Sequence, residues 1–345
     1  MEKRWQILFI TSFGVFVAGL DLFIVNIAFP DIAQEFSSAS LGDLSWILNA
    51  YAIVFAALLV PAGRIADRVG RRRMFLIGMA TFTTASALCA AAPSVGTLVA
   101  ARVLQAVGGA MIVPSTLGLI LPAFPPAQRA VAVGIWSAVG GVAAAFGPPI
   151  GGLLVEIDWR WIFIVNVPVG IGTVIAGRAL LPEIRERASA ARPDAVGALL
   201  LAAAIGLLTG AIVKGPDWGW GDPAIVGGFA AAAVGLVAFV YRSSHHPAPV
   251  IELEMLRVRS VAFANAATIA FFAGFGAMLL GSVIFLTQLW GYSVLHAGLA
   301  IAPGPLMAAV TAALGGRLTA ALGRLESTSP TPIPPSRKPG SQSAA

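Results

Sequence analysis

The chain has 345 residues, of which 58% are hydrophobic and 11% charged, with a formal net charge of +6. A soluble domain carries about 25% charged residues, so this composition excludes an ordinary water-soluble fold. A bilayer core about 30 Å thick is crossed by roughly 20 apolar residues at 1.5 Å each, and the long apolar runs here point to an all-α, multi-spanning membrane protein. Cys89 is the single cysteine, which excludes an intrachain disulfide; set in an apolar run, it reads as a small buried hydrophobe.

The start, MEKRWQILFI, is charged, but the apolar run behind it is long and lacks a small-residue cleavage site, so it reads as an uncleaved first span. Apolar stretches then predict ten spans, at about 7–28, 44–62, 74–92, 97–120, 131–154, 162–180, 195–213, 224–241, 263–288 and 297–315. With both termini cytoplasmic, 19 of the 22 Lys and Arg residues fall on the inner side; Arg160 and Lys214 lie outside and Arg102 lies within a span. That asymmetry fits the positive-inside rule, so the basic charge marks topology and not a nucleic-acid partner. Most tryptophans, among them Trp46, Trp159, Trp161, Trp218, Trp220 and Trp290, fall near outer ends, as interfacial anchors do.

In chain order, the first chemistry is Asp21, inside the first span in LDLFIVNIAFP. It lies about 7 residues, or about 10 Å, from the outer end. Arg102 lies in the fourth span, in RVLQAVGGA, about 5 residues, or about 8 Å, below the same face. These are the one acid and the one base placed inside spans, at similar depth. A lone Asp at mid-helix costs roughly 2.5–3.5 kcal/mol on insertion scales, and intramembrane ionisable groups read as functional by default. Asp21 and Arg102 then line a polar pocket and exchange a proton or an ion pair during transport. The alternatives are a static pair joining two helices, or snorkelling toward the outer headgroups. Gln105, one turn from Arg102, shares its face. Asn26, five residues beyond Asp21, faces partly elsewhere, and a helix–helix hydrogen bond explains it equally well.

Between the second and third spans stands GRIADRVGRRRMFLIG, residues 63–78, which concentrates five arginines and keeps one acid, Asp67. In the fifth span, GPPIGG sets Gly147 and Gly151 at i,i+4, a bare backbone face, and Pro148 and Pro149 remove two amide donors. Ordinary small-residue packing and a sliding interface between helix bundles both fit that face. Residues 181–194 are charged and helix-prone, 242–260 are polar with prolines, and the Pro- and Ser-rich tail, 325–345, is expected to be disordered. No Walker A lysine, HExxH or GxSxG appears, which excludes those chemistries and argues against an enzyme. The pair His245–His246 reads as solvated linker, and no metal site is expected.

These motifs resemble the major facilitator superfamily, in particular its fourteen-helix drug:proton antiporter branch (EmrB/QacA type). Gly63, Asp67, Arg68, Gly70, Arg71 and Arg72 match the signature between the second and third helices. Arg102, Gln105 and Gly108 match the proton-coupling motif of the fourth helix, with Ala106 in place of a usual glycine. Gly134, Gly147, Pro148, Gly151 and Gly152 match the antiporter motif of the fifth, with Ala143 where another glycine is usual. Asp21, Asn26 and Pro30 match the first-helix motif, and WRWIFIVNVPVG and WGW are also typical. The resemblance covers about residues 5–324.

It implies a six-helix N-terminal bundle (1–182), a two-helix insert (183–241) and two helices of a C-terminal bundle (242–324), all in a bacterial cell membrane. It further implies efflux of small hydrophobic or cationic compounds by alternating access, driven by the proton gradient and no bound cofactor. The partners are lipid, protons and the small-molecule substrate. Asp21 and Arg102 couple the proton, and Asn26, Tyr51 and Gln105 are substrate-pocket candidates. The basic loop fastens the two bundles in one state, Asp67 pairing with a neighbouring Arg and meeting a helix N-terminus across the bundle gap. After AALGGRLTAALGR the match stops, where the family continues with four more spans. A truncated, non-transporting membrane remnant is therefore the alternative, as is a metabolite exporter or uniporter.

Overall fold

Each predicted span becomes a helix in the computed structural model, which describes residues 2–185, 194–247 and 249–326. The helices are α1 Lys3–Glu35, α2 Leu41–Val69, α3 Arg71–Ala90, α4 Val95–Ala123, α5 Pro126–Val155, α6 Trp161–Ile164 and α7 Asn166–Leu180. They continue with α8 Ala195–Trp218, α9 Pro223–His245, α10 Arg259–Ile284, α11 Val294–Ile301 and α12 Pro303–Glu326. The described residues contain no strand. Ten of these segments are long and apolar enough to cross a membrane, with α6–α7 and α11–α12 each making one span. The tail beyond Glu326 and the middle of the 181–194 linker lie outside the described residues.

Helix starts follow local chemistry. Ser40 caps α2 by accepting the Asp43 amide, Ser94 and Thr97 form a reciprocal capping box on α4, and Asp222 and Ser293 cap α9 and α11. Proline opens α5, α9 and α12, where its missing N–H costs nothing.

Three spans differ from their expected single runs. The sixth breaks after α6 because Pro168 offers no amide to the Ile164 carbonyl four residues earlier. The tenth divides at Ala302, just before Pro303. The ninth leaves the α-helical ladder early, through a π-helical turn at Phe285–Leu289. Residues 181–185, at the start of the helix-prone linker, belong to no helix, and the Ile184 carbonyl accepts the Arg71 amide at 2.8 Å.

In the packing, α3 lies against α4 and α7, α2 against α4, and α1 against α4, α5 and α7; α8 and α9 form a hairpin leaning on α2 through α8. Helices α11 and α12 pack along α5. Backbone meets backbone where α3 crosses α4. A Cβ on Gly108 would stand 2.6 Å from the Phe82 amide nitrogen and 2.8 Å from the Gly78 carbonyl oxygen, so only hydrogen fits. Gly108→Val should therefore lower stability by about 1–3 kcal/mol through overpacking, read as a lower unfolding temperature in detergent; an unchanged temperature would refute the close crossing.

The α8–α9 hairpin is closed at its cytoplasmic end by Asp194. Its buried carboxylate accepts the Gly197 amide at 2.8 Å and Arg242 Nε at 2.6 Å. Desolvation pushes the carboxyl up, but the Gly197 amide and Arg242 together outweigh it and hold it below the usual carboxylate range. The link is complete at neutral pH and is lost as pH falls through that depressed value. Asp194→Ala should cost about 1 kcal/mol as a lost cap and remove this acid-side loss, measured by thermal melts across the acid range.

Candidate functional site

Five segments bring polar side chains to one buried point. Asp21 of α1 and Arg102 of α4 form an ion pair between Oδ2 and Nη1, with relative exposures of 0% and 1%. Arg102 Nη1 also donates to Gln105 Oε1 at 2.7 Å, and Nε donates to the Ile47 carbonyl of α2 at 3.1 Å. Its guanidinium lies 4.1 Å from the Tyr51 ring centroid and 5.8 Å from that of Phe163, so aromatic faces cover what hydrogen bonds leave. The other carboxylate oxygen, Oδ1, accepts Gln105 Nε2 at 2.8 Å and Asn166 Nδ2 at 3.5 Å. Ser86 Oγ accepts Gln105 Nε2 and Asn166 Nδ2, each at 3.1 Å, and donates to the Phe163 carbonyl at 3.2 Å. Cys89 Sγ donates to Gln105 Oε1 at 3.7 Å.

The structure thus joins the predicted Asp21, Arg102 and Gln105, with Tyr51 stacked against the guanidinium. Asn26 does not join them: it is exposed and donates to the Leu22 carbonyl of its own helix. Five helical residues turn it about 140° away from Asp21. Ser86 and Asn166 are partners that sequence reasoning missed. Asn166 stands alone as an amide in the apolar sixth span, which is the signal that could have found it; Ser86 has none, because third-span hydroxyls abound.

Beside this cluster, an elongated cavity of about 460 Å³ opens between α1, α2, α4 and α5 on one side and α10 and α12 on the other. Phe23, Phe55, Phe271, Phe272 and Phe275 line it with small aliphatic side chains, and Ser137 is a polar exception. Tyr51 stacks on Phe55 at 5.9 Å and so separates the ion pair from the cavity wall. None of Asn26, Tyr51 and Gln105 lines the cavity.

The basic loop is tied down at several points. Gly70 has φ +113°, a conformation that side chains resist. Asp67 pairs with Arg71, which also donates to the Pro114 carbonyl of α4 at 2.9 Å. Arg72 donates to the Arg178 carbonyl of α7 at 2.5 Å. Gly63 packs against Pro114, Arg68 lies in the last turn of α2, and Arg64 donates to Glu252 at 3.1 Å and to the Val250 carbonyl at 3.3 Å, beyond α9. The fifth-helix motif divides between two neighbours. Gly147 and Gly151 admit Phe23, Ile24 and Ile27 of α1, whereas Gly152 meets Leu295 and Pro148 meets Gly298 of α11; Gly134 is buried.

The helical bundle, apolar and long enough to span a bilayer, thus holds a buried acid–base pair beside an apolar cavity. The sequence matches the Major Facilitator Superfamily over residues 11–330, and the chain belongs to that family of transporters, which are not enzymes. It is 36% identical over 315 residues to the tetracenomycin C resistance and export protein of Streptomyces glaucescens, covering 91% of this chain and 58% of that protein. It is 37% identical over 317 residues to multidrug resistance protein Stp of Mycobacterium tuberculosis, again covering 91% and 58%. The chain therefore spans about 58% of the length of these relatives. Among solved structures, the human organic anion transporter MFSD10 (TETRAN) shares the fold, with a TM-score of 0.50 at 16% identity over 93% of this chain and 86% of that one.

If the two charges exist as a pair, their removal is not additive. Arg102→Met alone strands a buried carboxylate and should cost about 3–5 kcal/mol. Combining it with Asp21→Leu should restore much of that loss, judged by thermal melts in detergent. Additive losses would show that the two side chains do not stabilise each other.

Proposed function

We propose that this chain acts in proton-coupled export of small hydrophobic or cationic compounds across the bacterial cell membrane, by alternating access. The observation that carries this reading is the Asp21–Arg102–Gln105 cluster, buried one aromatic layer from an apolar cavity. The relatives' names, resistance and export of an antibiotic and multidrug resistance, support the same direction.

In this mechanism the cavity takes flat hydrophobic compounds on its phenylalanine faces, and the same faces accept organic cations through ring quadrupoles. A proton arriving at Asp21 removes the negative partner of Arg102. The ion pair loosens, α1 and α4 lose their strongest tie, and the bundle halves tilt toward the opposite opening. Deprotonation on the inner side restores the pair. In this reading residues 1–182 move as one bundle, 183–241 are an insert leaning on α2, and 242–324 belong to the opposing bundle. The basic loop, through Asp67–Arg71, sets the resting arrangement.

One observation favours a second reading, a membrane remnant that does not transport: α10 has its large apolar side chains, Phe263, Ile269 and Phe272 among them, exposed. A single assay decides between them. In inside-out vesicles with an imposed pH gradient, the chain should accumulate a fluorescent hydrophobic drug, and Asp21→Asn should lose this gradient-driven uptake while inserting normally. Full uptake by the variant would reject proton coupling through Asp21, and no uptake by the unaltered chain would favour the remnant.

A further inference from the structure

The hydrogen bonds around Asp21 run in one direction. Arg102 Nη1 serves one oxygen, and Gln105 Nε2 and Asn166 Nδ2 serve the other, so both oxygens face donors. This arrangement suits a carboxylate. A neutral Asp21 carries an O–H, which needs an acceptor where donors now stand.

Two amides are close enough to supply one by turning over. Gln105 is locked: its Oε1 accepts Arg102 Nη1 and Cys89 Sγ, and turning would aim its NH2 at the guanidinium. Asn166 is buried to 1% exposure, and its NH2 meets Asp21 Oδ1 and Ser86 Oγ. Both of those partners carry a proton once Asp21 is neutral and the Ser86 hydroxyl rotates. Resting on the reading of Asp21 as the proton carrier, we propose that Asn166 is a positioning residue that senses the proton: its amide turns to accept the O–H of neutral Asp21.

The consequence reaches the helix break. With Asn166 Oδ1 facing Ser86, the serine hydroxyl turns its proton from the Phe163 carbonyl to the amide. That releases α3 from the last turn of α6, beside the interruption that Pro168 creates. Protonation on α1 thus moves the hydrogen bond that Ser86 of α3 donates from α6 to α7, across the break in the sixth span, with no covalent bond changed except the one between Asp21 oxygen and the incoming proton.

Few other groups titrate nearby. Arg102 faces Asp21 from α4, with Tyr51 of α2 and Cys89 of α3 behind it. From α5 comes only Arg129, at the far cytoplasmic end, and α6 and α7 carry no charged side chain before Arg178. The remaining charges of α1 are Lys3, Arg4, Asp31 and Glu35, toward its ends.

The test is pH-difference infrared spectroscopy of the purified full chain in lipid nanodiscs, which needs no transport. The carboxyl band that appears on acidification should vanish in Asp21→Asn. Asn166→Leu removes the acceptor, so the band should move to the frequency of a carboxyl that donates no hydrogen bond. Asn166→Asp offers a second carboxyl to share the proton, so its midpoint should rise by about one unit or more. A residue that only fills space would leave the carboxyl frequency unchanged in Asn166→Leu, and Asn166→Ala gives the same reading if the leucine variant fails to fold. An unchanged band and midpoint in both variants, with the band still lost in Asp21→Asn, overturns the role of Asn166 alone. A band that survives in Asp21→Asn overturns the proton reading of Asp21 and this inference with it.

Discussion

The buried ion pair between Asp21 and Arg102 constrains the rest of the structure. Neither charge is tolerable in hydrocarbon without a partner, and each needs more hydrogen bonds than the other supplies. Arg102 therefore recruits the Ile47 carbonyl and the Tyr51 ring from α2, and Asp21 recruits amides from α4 and α7. Those demands fix how near the helices must come. Ser86 and Gln105 reach each other at 3.1 Å because α3 and α4 cross at Gly78 and Gly108, where backbone meets backbone. Glycine there is required by the polar cluster one to two turns away, as much as by local packing.

The charged half of this site was legible in the sequence, and the neutral half was not. Asp21 and Arg102 stand out because a charge inside an apolar span carries a cost that composition alone reveals. Gln105 follows from helical spacing. Ser86 costs little in lipid when bonded locally and nothing in the sequence marks it; Asn166 is marked only as the lone amide of its span, and the crossing of α3 with the broken sixth span brings the two together. Asn26 illustrates the converse. It shares a motif with Asp21 but not a face, and its amide is satisfied within α1. Span number and order were legible because bilayer thickness sets a length scale; the breaks in the sixth and tenth spans were missed, although prolines mark them, because the apolar pattern runs on through both.

The fifth helix shows where spacing underdetermines structure. Gly147 and Gly151 form a bare face, and ordinary packing and a sliding surface were both open. The structure turns that face onto α1, against Phe23, Ile24 and Ile27, close to Asp21. The neighbouring Pro148 and Gly152 instead meet α11 through Gly298 and Leu295. One motif therefore touches the helix of Asp21 on one side and the later spans on the other. Close backbone packing on both sides leaves α5 little freedom to absorb a shift of α1 by bending side chains.

That rigidity matters because the first spans are joined at two heights. At the cytoplasmic end, Arg71 binds the Pro114 carbonyl and Asp67, its amide binds Ile184, and Arg72 binds the Arg178 carbonyl, so α2, α3, α4 and α7 are tied together. Twelve residues along α4, about 18 Å away, the same four helices meet again at Arg102, Gln105, Ser86, Asn166 and the Ile47 carbonyl. Helices held at both points cannot rotate independently. Asp21 is bonded to this braced unit through Arg102, Gln105 and Asn166. The loop's arginines and the buried acid thus bear on the same four helices at two levels.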